Sequence, residues 1–128
     1  YDSQTRVIPT LQCSQLADSF SVSDKIGNGA LTYPVGLLTL DETRFAGLTS
    51  NMVNTNNYLS INSSWWLMTP GGYYAITGLT GVSAISPDGF SIIPDTLSSR
   101  VIRPVINLKK DVVIVSGDGT IGNPYFID

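Results

Sequence analysis

Apolar and polar positions along this chain alternate in short runs broken by glycine, proline, asparagine and serine, a pattern of strands and turns. The clearest helical signal lies in "TLDETRFAGL". Thr39 and Glu42 stand three apart as a capping box, Asp41 and Glu42 load the first turn with negative charge, and Gly47 can end the helix. Leu40, Phe45 and Leu48 are its expected apolar face and Arg44 its solvated one. Residues 1–10 read as an extended, peripheral segment, because Pro9 has no amide for a ladder bond. Residues 11–24, "LQCSQLADSFSVSD", read as a short helix and an alternating strand. Gly27-Asn28-Gly29 signals a turn, and the apolar run after it predicts a buried strand up to Thr39.

Residues 49–64 are rich in asparagine and serine, which satisfy their own backbones and favour turns, so a long ordered loop is expected, anchored by Tyr58, Leu59 and Ile61. "WWLMT" predicts a strand ended by Pro70-Gly71-Gly72. "GVSAISPDGFSII" predicts a hairpin turning at Ser86-Pro87-Asp88-Gly89. "RVIRPVINL" reads as a further strand, and the tail as β structure folding back at residues 116–120. The sum is an α+β domain over residues 11–128, mainly antiparallel sheet with one or two helices and long surface loops.

Composition narrows the chemistry. Charged residues make up 13% of the chain, against about 25% in an average soluble protein. With a net charge of −3 and Lys109-Lys110 as its one adjacent basic pair, the chain lacks the electrostatic footprint for nucleic acid or an anionic membrane. No apolar stretch is long enough to span a bilayer. The chain opens without Met, so it is expected to be a mature or trimmed fragment, with any membrane attachment lying upstream. It has no histidine, which excludes Ser-His-Asp and Cys-His catalysis and the HExxH metal motif. Cys13, the single cysteine, can form neither an internal disulfide nor a CxxC site. A partner thiol elsewhere, a free buried thiol and a nucleophile remain open for it.

Trp65 and Trp66 are neighbours in a predicted strand, so their rings point to opposite faces, one into the core and one free for another task. With Tyr73 and Tyr74 they surround the Pro-Gly-Gly stretch, and exposed flat rings beside polar loops grip sugar faces through stacking. Asp88, Asp95, Asp111, Asp118 and Asp128 sit at turns. Around Asp118, "SGDGTIGN" faintly echoes a calcium loop without its ligand spacing, and no pair of acids has the placement a glycosidase needs. Non-enzymatic function without a cofactor is expected. Arg100 and Arg103, three apart, fall on opposite faces of a strand, so one at most points inward, where it would clamp carbonyls or a carboxylate. Asn62-Ser63-Ser64 is a glycosylation sequon, meaningful only in a eukaryotic secreted protein.

In order, "NGALTYPVGLLTLDETRFAG", "NTNNYLS", "SWWLMTP", "VSAISPDGF" and "VIRPVINLKKDVVIVSGDGTIGNPYFID" resemble the C-terminal domain of pilin-like and other surface proteins of Firmicutes and related gut bacteria. That domain is similar to the C-type-lectin-like fold, in the version shared with formylglycine-generating enzymes. The resemblance covers residues 11–128. It implies Trp66, Pro70, Arg103, Pro104 and Asn107 as framework, and Asn54 to Ser64 and Gly71 to Thr80 as ligand-facing loops on one face. Trp65, Tyr73, Tyr74, Asn56, Asn57 and Tyr58 become the expected contacts. The paired catalytic cysteines of the formylglycine-generating enzymes are absent, as are the calcium-and-sugar motifs of true C-type lectins. The implied role is an extracellular head module for adhesion or display on a cell surface or filament, its partners a surface glycan, a protein or further copies of the chain. A structural filament subunit and a phage or particle receptor-binding domain are the alternatives.

Overall fold

A computed structural model describes residues 8–12, 27, 31–33, 35–50, 52–120 and 122–128. Cys13 and, from residue 13 on, the helix and strand expected over residues 11–24 lie outside the described residues.

Helix α1, Leu40–Phe45, begins at Thr39 as the capping box predicts. The Thr39 hydroxyl accepts from the Glu42 amide at 3.2 Å, and the Glu42 carboxylate accepts from the Thr39 amide at 2.6 Å. The helix stops in a Schellman arrangement: the Leu48 amide donates to the Thr43 carbonyl and that of Gly47, at φ +90, to the Arg44 carbonyl. The expected apolar face needs a correction. Leu40 packs against the core and Leu48 is buried, but Phe45 is 58% exposed. Five residues on from Leu40, Phe45 stands about 140° round the helix, and Thr43 takes the inward position instead. Replacing Thr39 by alanine removes the cap and is expected to cost about 0.5–2 kcal/mol in urea denaturation, with the loss confined to stability.

The central sheet is antiparallel and ordered β2-β3-β4, formed by Trp65–Tyr74, Leu79–Ile85 and Ser91–Ile92. Residues 94–96 extend the β4 edge: the Val82 amide donates to the Pro94 carbonyl and that of Thr96 to the Thr80 carbonyl. On the other edge of β2, the Trp66 amide donates to the Val101 carbonyl and that of Met68 to the Leu38 carbonyl, each at 3.0 Å. The β2 strand does not end at Pro70-Gly71-Gly72. It passes through them with irregular register between Trp66 and Pro70 and again between Pro70 and Gly72, where bulges relieve proline of a ladder bond. The turn at Ser86-Pro87-Asp88-Gly89 forms as expected, with the Gly89 amide 3.0 Å from the Ser86 carbonyl.

Two strand predictions shrink. The run before Thr39 yields only β1, Val35–Gly36, among the described residues, and Val35 is exposed. "RVIRPVINL" forms a single bridge at Val101 and then β5, Val105–Ile106, which pairs antiparallel with β1. Pro104, which has no amide to donate, stands between the two pieces. The tail folds back into an antiparallel ribbon of β6, Ile114–Ser116, and β7, Phe126–Ile127. Mainly antiparallel sheet with one short helix among the described residues is a mainly-β α+β architecture.

The core lies between the sheet and the helix. Leu48, Trp65, Leu67 and Ile85 are buried there, with Leu38, Leu40, Leu59 and Ile61 packed against them.

Candidate functional site

Alternation along β2 puts Trp65 and Leu67 on one face and Trp66 and Met68 on the other. The resemblance implied that Trp66 was the packed ring. The structure reverses this: Trp65 is 0% exposed and cannot touch a ligand, while Trp66 is half-buried on the outer face. The apolar partners of the helix and of residues 59–61 stand on the Trp65 side, so that ring fills the core.

Each tryptophan carries its own arginine. The Arg103 guanidinium carbon lies 4.6 Å from the centre of a Trp65 ring, and that of Arg100 lies 4.9 Å from Trp66. This is the opposite-face arrangement expected of two arginines three apart. Arg103 is the inward clamp: its Nη1 donates to the Leu59 carbonyl at 2.6 Å, joining the chain after Val101 to the end of the long loop. Because Trp65 Nε1 has no hydrogen-bond partner, stacking rather than a polar contact holds the indole.

Arg100 has no such acceptor. Its Nε and Nη1 are closed off from solvent without a hydrogen-bond partner, and among the described residues the only ion pair is Arg44 with Asp41. A shallow cavity of ≈470 Å³ opens beside it, lined by Ser63, Ser64, Ser99, Arg100 and Val101. A second, apolar hollow of ≈410 Å³ is lined by Val35, Gly36, Leu37, Met68, Ile102 and Pro104.

The other expected contacts divide into two groups. Asn56 and Tyr58 are exposed, Tyr58 at 79%, on a loop whose Asn54 amide donates to the Asp88 carbonyl at the β3–β4 turn. Tyr73 is 67% exposed beside the opposite, β2–β3 turn. The seven residues of β3 separate these ends by about 20 Å, so one loop face does not gather them. Asn57 and Tyr74 are each tied into the fold by a side-chain hydrogen bond. The Asn57 side-chain amide donates to the Ala46 carbonyl at the helix end. The Tyr74 hydroxyl donates to the Ile93 carbonyl at 2.7 Å, and its ring lies close over Gly81, where an added Cβ would come within 3.0 Å of it. Among the framework residues, Pro70, Pro104 and Asn107 are exposed.

Asp118 Oδ1 accepts from the Thr120 amide at 3.0 Å, closing its own turn. Hydrogen bonds from Thr120 hold its carboxyl below the usual range. Among the described residues no three acidic or cysteine side chains gather into a metal-binding group. Asp95 is likewise engaged, by the Leu97 amide and the Ser98 hydroxyl.

Sequence reasoning singled out Arg100 but not the serine-lined hollow. Its signal was the pairing of "NSSW" with "SSRV", two serine pairs that the Trp65–Val101 bridge brings side by side. Comparison with known protein families, with curated proteins and with solved structures finds no match for the chain.

Proposed function

We propose that this chain is a non-enzymatic, extracellular recognition module, the exposed head of a pilin-like or other bacterial surface protein with a C-type-lectin-like fold. Its role is adhesion or display. One observation carries the reading: exposed tyrosine rings, Tyr58 and Tyr73, stand on segments held by hydrogen bonds to the sheet and helix. Rings on held segments bind with little loss of entropy, which suits recognition. The ordered motif series of the resemblance supports the surface-protein setting.

The test is binding of the purified chain to arrayed glycans and surface proteins. Tyr73→Ala is expected to lower binding at least tenfold while leaving the melting temperature unchanged within error. Unaltered binding by both Tyr73→Ala and Tyr58→Ala would sink the display reading.

A filament subunit is the second reading, favoured by the β6–β7 ribbon. Val113, Ile114, Val115, Tyr125, Phe126 and Ile127 are all exposed on it, apolar surface of the kind that protein contacts cover. Concentration-dependent association without ligand, abolished by Ile114→Lys, would put this reading first.

A further inference from the structure

We infer that Arg100, stacked on Trp66 and flanked by Ser63, Ser64 and Ser99, forms a recognition site for a single carboxylate group. A guanidinium drawn partly out of water retains a charge that needs compensation. Arg103 meets that need with a carbonyl and the buried Trp65 face. Arg100 has the Trp66 face alone, and no carboxylate among the described residues pairs with it. The Trp66 ring covers one side of the guanidinium, and with Nε and Nη1 closed off from solvent, Nη2 is the nitrogen left to meet an acceptor. Serines from two separate segments, Ser63 and Ser64 from one and Ser99 from the other, line the same hollow as this cation. One positive charge among neutral hydroxyls, on a chain of net charge −3, matches a monoanion better than a doubly charged phosphate. This inference does not depend on the display reading, since a filament subunit would carry the site equally.

The test uses the two indole N–H resonances of the chain, Trp66 reporting on the site and Trp65 serving as the buried control. N-acetylglycine, glucuronate, inorganic phosphate and the neutral N-acetylglycinamide are titrated in turn. Both carboxylates are expected to shift the Trp66 signal, the amide not to, and Arg100→Gln to weaken the response about tenfold or more. A preference for N-acetylglycine would assign the carboxylate to a peptide end, and a preference for glucuronate to an acidic sugar. Ser99→Asp, which supplies a carboxylate in place, is expected to block both probes and raise the melting temperature. The inference is overturned if the neutral amide shifts Trp66 as strongly, if phosphate outcompetes both carboxylates, or if Arg100→Gln lowers stability with the carboxylate response intact.

Discussion

Trp65→Ala is expected to lose about 3–5 kcal/mol of stability, whereas Trp66→Ala loses about 1 kcal/mol. The two side chains are chemically identical and one peptide bond apart, so the contrast isolates environment. Trp65 has no exposed surface, packs with Leu48, Leu67 and Ile85, and stacks on an arginine that is itself bound to the Leu59 carbonyl. Truncation opens a cavity and removes the partner of a drawn-in cation at the same time. With total stabilities of about 5–15 kcal/mol typical, Trp65→Ala should remove a large share of the total and lower the melting temperature markedly. Trp66 keeps part of its surface in water, so its removal costs mainly the contact with Arg100. Urea titrations followed by circular dichroism measure both, and equal losses would refute the assignment of faces.

Gly89→Ala is the second substitution with a large expected effect, about 2–4 kcal/mol. Gly89 has φ +80, a region that an alanine occupies only under strain, and an added Cβ would lie 2.7 Å from the Asn54 carbonyl oxygen. The neighbouring segment is a poor place to give way. Asn54 donates its amide to Asp88 and accepts from the Ser60 hydroxyl, so the turn and the loop must move together. Hydrogen exchange should show the Asn54 amide losing protection in this variant. Gly122→Ala, with open space around the new methyl and no positive φ, is the matched control and should be near neutral. A Gly89→Ala protein as stable as that control would show that the turn and the loop are not joined as described.

How much of this could be read beforehand depended on the range of the interaction involved. The capping box of α1 and the Ser86–Gly89 turn are decided by atoms three residues apart, and both were legible. So was the opposition of Arg100 and Arg103, which follows from the two-residue period of extended chain. The choice between Trp65 and Trp66 was not, because Trp65-Leu67 and Trp66-Met68 are equally apolar rows. Distant packing from the helix and from residues 59–61 breaks that symmetry. Pro70-Gly71-Gly72 misled because proline and glycine end strands in isolation, yet β3 tolerates extra residues opposite it by bulging β2. The tie between the Asn57 side chain and the Ala46 carbonyl was not legible either, because the two lie 11 residues apart.

The loop over residues 54–60 divides its labour by position. Asn54, Asn57 and Ser60 point their polar groups inward to the Gly47, Ala46 and Asn54 carbonyls, while Thr55, Asn56 and Tyr58 are exposed. Residues that hold the loop and residues that meet the outside therefore interleave without overlapping. Mutation at the outward three can change what the surface touches while leaving the inward three to keep its shape. Such a segment can diversify quickly under selection by a changing partner, and for the same reason it is a natural place to graft a new binding sequence.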